Sequence, residues 1–567
     1  MLEVAFVRSA QEEQVSEINR LPSGWAMVRV DQAGRLRLGR QRSPSKHTGR
    51  YATKYVRAAN ITPDGLDLTN LLEMDFTPTE RVIFALQVGD ALLTEASGSA
   101  AQVGRAALWR GEVADCCYQN TVIRFRPHLS LPDYALVVFR YYAASGVFAR
   151  TARGVGIQHL GASRFAALAF PLPPIDEQRR IIEVTERRLE EIHEAGERLR
   201  SALVRLGEQA REILAAAAAG ELVPPRSTEK RREETVPAVL TGVLSGPLPT
   251  GWRWARIDEV GEVTLGRQRS PRHQHGENLR PYLRVANVFE DRIDTSDILK
   301  MNFEPKEVLT YALKFGDILL NEGQSPELVG RPAMYRDEVP GACFQNTLIR
   351  FRAGPSVNPN YVLLVFRHFL HAGVFRQIAR WSTNIAHLGL DRFRALPFPL
   401  PPLEEQGRIA DEARRRLNAV ATQVEAVESS LGRLPEMERE LLAAAVTGEL
   451  THQDPADEPV SALIARLGPP PHEAIPTPTA QDGATAVTSK RKSQDRRLNP
   501  TPDLVTVLRE AGRPLPLPEL FGQAGYDRDQ PEHVELFYLA LRAQLGRTIR
   551  QTGDATENAA LEAIDAT

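Results

Sequence analysis

The sequence predicts a mixed α/β protein: two similar α/β domains, each followed by one long helix. Three observations carry this. The chain contains a whole-domain repeat, a proline-bearing segment closes each copy, and a heptad pattern follows each closure. At 567 residues, the chain has room for three or four domains.

The second copy trails the first by about 227 residues. Leu21-Pro22-Ser23-Gly24-Trp25 is answered by Leu248-Pro249-Thr250-Gly251-Trp252. Leu38-Gly39-Arg40-Gln41-Arg42-Ser43-Pro44 recurs letter for letter as Leu265-Gly266-Arg267-Gln268-Arg269-Ser270-Pro271. Further on, Tyr55, Arg57, Ala59 and Asn60 match Tyr282, Arg284, Ala286 and Asn287, and Gln119-Asn120-Thr121 matches Gln345-Asn346-Thr347. A period this long marks a duplicated domain rather than a solenoid. Short apolar runs such as Asp90–Leu93 and Thr121–Phe125 read as strands. Tyr134–Ser145 and Tyr361–His371 read as helices.

Each copy ends in Phe-Pro-Leu-Pro-Pro, at 170–174 and 398–402, where proline holds the chain extended. A helix should then start, with Asp176 as cap in the first copy and Glu404 as a weaker one in the second. Glycine sets the stops, at Gly220 and Gly448, after about 44 residues. The first helix carries a seam of Ile182, Thr185, Leu189, Ile192, Gly196, Leu199, Leu203, Leu206, Ala210, Ile213 and Ala217. The second carries Ala410, Ala413, Leu417, Val420, Val424, Val427, Leu431, Leu434, Glu438, Leu441 and Ala445. Steps alternating three and four are those of a coiled coil, and each helix is the natural partner of the other. The other arrangement is that each helix packs on its own globule.

Composition narrows the function. The formal net charge of −2 is unevenly spread: residues 20–173 carry 19 basic and 11 acidic groups, and residues 249–401 carry 20 and 16. Arginine dominates the cations, and its fork suits guanine or phosphate; a GC-rich genome would also favour it. Three cysteines in no metal or disulfide spacing suit a reducing cytoplasm. The N-terminus does not read as a signal peptide, and no apolar run is long enough to span a membrane. We find no Asn/Asp-Pro-Pro-Tyr/Phe methyltransferase motif, no phosphate loop, no metal spacing and no nucleophile elbow.

With two in-register closures, Pro-Leu-Pro-Pro-Ile-Asp-Glu-Gln at 171–178 and Pro-Leu-Pro-Pro-Leu-Glu-Glu-Gln at 399–406, the chain resembles the specificity subunits of Type I restriction-modification systems over roughly residues 20–450. That resemblance implies two target-recognition domains on two antiparallel spacer helices, and no catalytic site. It implies double-stranded DNA as ligand, read as a split site. The implied partners are methyltransferase subunits, two of them, and a nuclease/translocase subunit. S-adenosylmethionine, ATP and magnesium would belong to those partners, leaving no cofactor or metal in this chain. The rival readings are a DNA-reading scaffold of another defence complex, and an enzyme whose chemistry sits in the C-terminal module.

Candidate DNA-binding residues follow from donor chemistry and from the repeat. The first loop supplies Arg40, Gln41, Arg42 and Lys46, and its copy supplies Arg267, Gln268, Arg269 and Arg272. These loops either read bases or are solvated turns. Arg57, Asn60, Arg284 and Asn287 come next, with a structural asparagine turn as the alternative. The late loops add Arg153 and Gln158, and Arg380 and Asn384, and they differ between copies. Spacer-helix or partner-subunit positions are Glu177, Gln178, Leu189, Leu199, Leu203, Glu405, Gln406, Leu417, Val424 and Leu431. Similar readers related by an approximate twofold axis should prefer similar half-sites in inverted orientation. The boundaries expected are an N-terminal segment 1–20, domains 21–175 and 248–403, helices 176–220 and 404–448, and a connector 221–247. A flexible linker 449–500 and a small helical or winged-helix module 501–567 complete the chain.

Overall fold

The computed structural model describes residues 21–41, 48–99, 102–154, 157–224, 235–244, 248–270, 274–382, 385–471 and 504–524, together with 537, 541, 549–552 and 560–563. The chain divides into two compact units, Met1–Pro478 and Thr479–Thr567.

The first head opens with β1 (Ala26–Arg29) and β2 (Gly34–Leu38), followed by β3 (Ala52–Val56), β4 (Leu72–Asp75) and the helix α1 (Pro78–Phe84). Strands β5 (Ala91–Thr94), β6 (Ala106–Leu108), β7 (Cys117–Tyr118) and β8 (Val122–Pro127) precede helix α2 (Pro132–Ala144), and β9 (Ala169–Leu172) closes the head against β1. The main sheet is antiparallel, in the order β2-β8-β5-β6; a second sheet has the order β7-β3-β4. Strand β5 is buried at all four positions, which is why it reads as an unbroken apolar run. Helix α2 starts on a proline in its first turn, as helices tolerate, and lays Phe139 edge-on against Phe125 at 5.0 Å and Phe165 at 5.2 Å.

The second head repeats this plan. Its main sheet is β10 (Gly261–Leu265), β13 (Leu348–Ala353), β11 (Ile318–Asn321) and β12 (Pro332–Met334) in that spatial order. Phe366 takes the place of Phe139, 5.4 Å from both Phe351 and Phe393.

Two helices of equal length join the heads: α3 (Ile175–Ala219) and α4 (Leu403–Thr447). They begin one residue before the expected caps. Pro174 and Pro402 stand at the cap positions and no side chain caps either end, so Asp176 and Glu404 act as first-turn carboxylates instead. Gly220 and Gly448 end them with φ of +71° and +81°, a conformation that side chains disfavour. No position of either expected seam is exposed. The helices run antiparallel. Gly196 faces Leu434, the stretch 202–209 faces 423–427, and 209–216 faces 415–423, so one number rises as the other falls. Pro435 lies within α4 on an exposed position beside that crossing.

The helices also pack on the heads, so the two arrangements posed for them coexist. The core of the first head takes Ile181 from the start of α3 and Leu442, Ala445 and Val446 from the end of α4. The core of the second takes Ile409, Ala410 and Ala413 from the start of α4 and Ile213, Leu214 and Ala217 from the end of α3. Gly220 abuts Pro249 and Trp252, where a methyl group would come within 2.5 Å, and Gly448 abuts Pro22 and Trp25 in the same way. The chain therefore closes on itself.

The stretch 449–471 is not a flexible linker. It folds onto the first head: Val460 N–H donates to the Gly24 carbonyl at 3.0 Å, the helix Val460–Leu467 buries Val460 and Leu463, and Arg180 pairs with Asp457 at 2.5 Å. In the connector, Leu240 and Leu244 join the core of the second head.

The C-terminal unit is not purely helical. Helices Leu504–Ala511 and Leu517–Gln523 accompany strands Leu515–Pro516, Ile549–Thr552 and Ala560–Ala563, with the last strand in the middle of an antiparallel sheet. Leu504, Leu508, Leu515, Leu520, Phe537, Ile549 and Leu561 form its own core. Among the described residues of the chain, no helix is long and apolar enough to cross a membrane.

Candidate nucleic-acid interface

The repeated loop after β2 is held at its root by packing. A methyl group on Gly39 would collide with the Gln119 carbonyl, and one on Gly266 with that of Gln345, so only glycine permits the approach. The next residue, Arg40, is 6% exposed. Its Nε pairs with Glu80 at 2.8 Å and its guanidinium lies 5.0 Å from the Phe76 ring. Arg267 does the same with Glu307 at 2.8 Å and Phe303 at 5.1 Å. Arg40 and Arg267 are thus corrected from base readers to anchors of the loop root. Gln41, Gln268 and Arg269 are exposed beyond them. Arg42, Lys46 and Arg272 lie outside the described residues.

Asn60 and Asn287 are also corrected. Both are buried, at 3% and 2% exposure. The Asn60 Oδ1 accepts from Arg57 N–H at 3.0 Å, while its Nδ2 donates to the Asp67 carbonyl at 2.9 Å. Asn287 holds Arg284 N–H, Asp294 and Asp297 in the matching way. These amides close a loop and have no donors left for a base. Arg284 pairs with Asp297, whereas the place of Asp297 in the first head is Asn70, so Arg57 meets no acid there. Both arginines are half-buried.

In the late loops, Arg153 is exposed and its backbone bridges to His159, and the Gln158 Nε2 donates to the Gly154 carbonyl at 2.9 Å. Arg380 and Trp381 form a short strand against Ala386 and His387. Asn384 lies outside the described residues. His159 and His387 each reach a carboxylate, Glu95 at 2.9 Å and Glu322 at 3.1 Å. The sequence reading passed over Trp381, which is 58% exposed and the one exposed tryptophan of the five. Its position beside Arg380 in a loop that differs between copies was the available signal.

At the helix feet, Glu177, Gln178 and Gln406 are almost wholly buried. Trp25 Nε1 donates to Glu177 at 2.7 Å and Gln453 Nε2 donates to it at 2.5 Å. Desolvation raises the Glu177 carboxyl above its ordinary pKa, against the pull of those two donors. The Gln178 Oε1 accepts from Leu131 N–H and the Gln406 Oε1 from Asn358 N–H, both at 2.7 Å. These three therefore pin helix to head and are not offered to a partner subunit; Glu405 is half-buried. Leu189, Leu199, Leu203, Leu417, Val424 and Leu431 line the seam, half-buried.

Burial pushes the thiols of Cys116 and Cys117 up to about 12 and that of Cys343 to about 11, which keeps them protonated and unreactive at neutral pH. Among the described residues, no three His, Cys, Asp or Glu side chains gather as a metal site.

Residues 249–413 match the family model described as the Type I restriction modification DNA specificity domain. Over 457 residues, 78% of this chain and 92% of the relative, the sequence is 22% identical to the type I restriction enzyme EcoKI specificity subunit of Escherichia coli. A shorter match, 27% over 168 residues, covers 29% of this chain and 39% of the MjaX protein of Methanocaldococcus jannaschii, named there as a candidate specificity subunit. In fold, 76% of the chain superposes on the whole of a chain from a solved type I restriction-modification assembly, with a TM-score of 0.58 at 20% identity.

Proposed function

We propose, from the membership of this chain in the specificity-subunit family of Type I restriction-modification systems, that it is the DNA-reading, non-catalytic member of such a complex. Each head would read one half of a split double-stranded site. The chain would direct two adenine methyltransferase subunits, and a nuclease/translocase subunit, to that site. S-adenosylmethionine, ATP and magnesium would be held by those partners.

One observation carries the reading: two homologous heads sit at opposite ends of one antiparallel helix pair, each resting on the start of one helix and the end of the other. Such an arrangement relates the heads by an approximate twofold, and a twofold maps one DNA strand onto the other. The exposed Gln41 of one loop and the exposed Gln268 and Arg269 of its copy would meet base edges or phosphates, with Arg153, Gln158 and Arg380 as further contacts. Similar loops favour similar half-sites, so the target would be nearly palindromic, with the late loops introducing the difference.

Sequencing of modified bases in cells carrying this chain and its methyltransferase tests the proposal. The expected result is adenine methylation in one split motif with related, inverted halves. A contiguous motif, or two unrelated halves, refutes the twofold reading.

A further inference from the structure

The two heads differ at the tip of one hairpin, and the difference exposes an indole that the contacts proposed above leave unused. In the second head, Arg380 and Trp381 pair with His387 and Ala386. Ser382 closes the turn: its N–H donates to the Ile385 carbonyl at 3.0 Å, and its hydroxyl donates to the same carbonyl at 3.2 Å. The turn leaves Arg380, Trp381 and Ile385 exposed, the last at 45%. Tryptophan is usually well covered, and the other four of this chain are buried or half-buried.

Backbone hydrogen bonds tie this hairpin to the root of the Gln268-Arg269 loop. Asn346 N–H donates to the Arg267 carbonyl at 3.0 Å, Glu322 N–H to the Thr347 carbonyl at 2.9 Å, and Leu388 N–H to the Glu322 carbonyl at 2.8 Å. Val285 N–H adds the Arg284 turn, donating to Thr347 Oγ1 at 3.2 Å. All of these lie at the end of the main sheet where β10 and β11 finish and β13 begins. The indole therefore shares one end of the head with the exposed Gln268 and Arg269.

The first head has the same root and a different tip. Leu160 N–H donates to the Glu95 carbonyl as Leu388 does to Glu322, and Arg153 bridges to His159 as Arg380 pairs with His387. After that arginine, Gly154 takes the place of Trp381. Its φ is +145°, and an added methyl group would come within 1.9 Å of the Ile157 carbonyl. No side chain fits there, so the asymmetry is built into the backbone.

We propose that Trp381 stacks on a base of the half-site read by the second head, a contact that the first head cannot make. The inference rests on the DNA-reading function above and deepens it, by adding a contact that is neither a hydrogen bond to a base edge nor an ion pair. Every base has a π face, so stacking holds DNA without selecting a sequence. In a duplex, the ring reaches that face by entering a base step and partly unstacking it, as apolar wedges do. Arg380 stands next to the indole, and a guanidinium there suits the phosphates that flank such a step. That arginine, and the continuity with the Gln268-Arg269 loop, favour nucleic acid over a protein surface as the occupant.

The test uses the chain assembled with its methyltransferase subunits, on duplexes carrying the methylated motif. A 2-aminopurine probe, which brightens when unstacked, is placed in turn across each half-site, away from the methylated adenines. Binding by the parent should brighten a probe in one half-site, and Trp381→Ala should remove that signal. The same variant should bind about 5- to 150-fold more weakly, the range for one stacked base, with an unchanged slope of log affinity against log salt. Trp381→Phe keeps a ring and should retain most of the affinity and the signal, which a merely structural role for the indole would not predict. Parental affinity and signal in Trp381→Ala overturn the inference and leave the DNA-reading function intact. A slope flattened by about 0.9 or more places the loss at phosphates and also overturns it. Loss of the methyltransferase subunits from Trp381→Ala, with DNA affinity kept, overturns it too and marks the hairpin as a protein contact. A parental assembly that binds no DNA sinks the proposed function, and this inference with it.

Discussion

Asn287 sits where no solvent reaches and holds three backbone groups with one amide. Each buried group left without a partner costs about 1–3 kcal/mol, so Asn287→Ala, which strands three, should destabilise the second head by at least about 3 kcal/mol. Urea unfolding measures this, and the methylated motif should stay the same; a changed motif would restore the base-reading role that its geometry removes. Glu290 gives a residue-scale pH effect. Burial by itself would raise its carboxyl, but His371 at 2.9 Å and Arg367 at 2.8 Å outweigh that and hold it down at about 2. A carboxyl depressed in the folded state stabilises above its unfolded pKa, 4.5, and that contribution drains away as pH falls from 4.5 towards 2. Glu290→Gln should flatten the pH dependence of the unfolding midpoint within that window; an equally steep dependence in the variant would rule the assignment out. At this scale the sequence misled in an instructive way. Identity between the two Gly-Arg-Gln loops looked like shared base reading, yet for Gly39 and Arg40 it reflects a close backbone approach and a buried ion pair. Two copies of one fold preserve internal packing as strictly as function, and sequence alone cannot say on which side of the surface an arginine lies.

At the scale of elements, the helices were the most legible part, because a seam of threes and fours is written locally. Their length, their stops and every seam position agree with that pattern. The caps were misplaced by two residues, since Pro174 and Pro402 already hold the extended conformation from which a helix can start. What could not be read was the folding of 449–471 onto the first head. Its anchor, Gln453 to Glu177, spans 276 residues, and no local pattern announces it. Within α3, Gly207 is a weak point without a packing reason, since a methyl group there would meet only the Arg211 side chain, at 4.0 Å. Glycine inside a helix is about 1 kcal/mol worse than alanine, so Gly207→Ala should raise stability by about that much. A thermal melt showing no gain or a loss would mean that the helix pair is tighter there than the geometry indicates. Gly196 is different: its added methyl would lie 3.3 Å from Leu434, so the glycine admits its neighbour across the seam.

For the whole molecule, the closed circuit of head, helix, head and helix makes the distance between heads a property of the helices. Each head is bound to both α3 and α4, so neither can shift along the pair without breaking its own core. Inserting seven residues into each helix, beside the facing pair Gly196 and Leu434, keeps the seam in phase and adds about 10.5 Å at 1.5 Å per residue. Base pairs rise about 3.4 Å, so the unread gap between half-sites should lengthen by at most about three base pairs. The half-sites themselves should not change, because the insertion touches no loop of either head. Insertion in one helix alone should instead throw seven residues out of register against an unlengthened partner and destabilise the assembly. Mapping methylated adenines in cells carrying the doubly lengthened chain decides the matter. A longer gap between unchanged halves supports the helix pair as the ruler. Altered halves would place sequence reading partly in the helices, and an unaltered gap would mean that the partner subunits, not this chain, set the spacing.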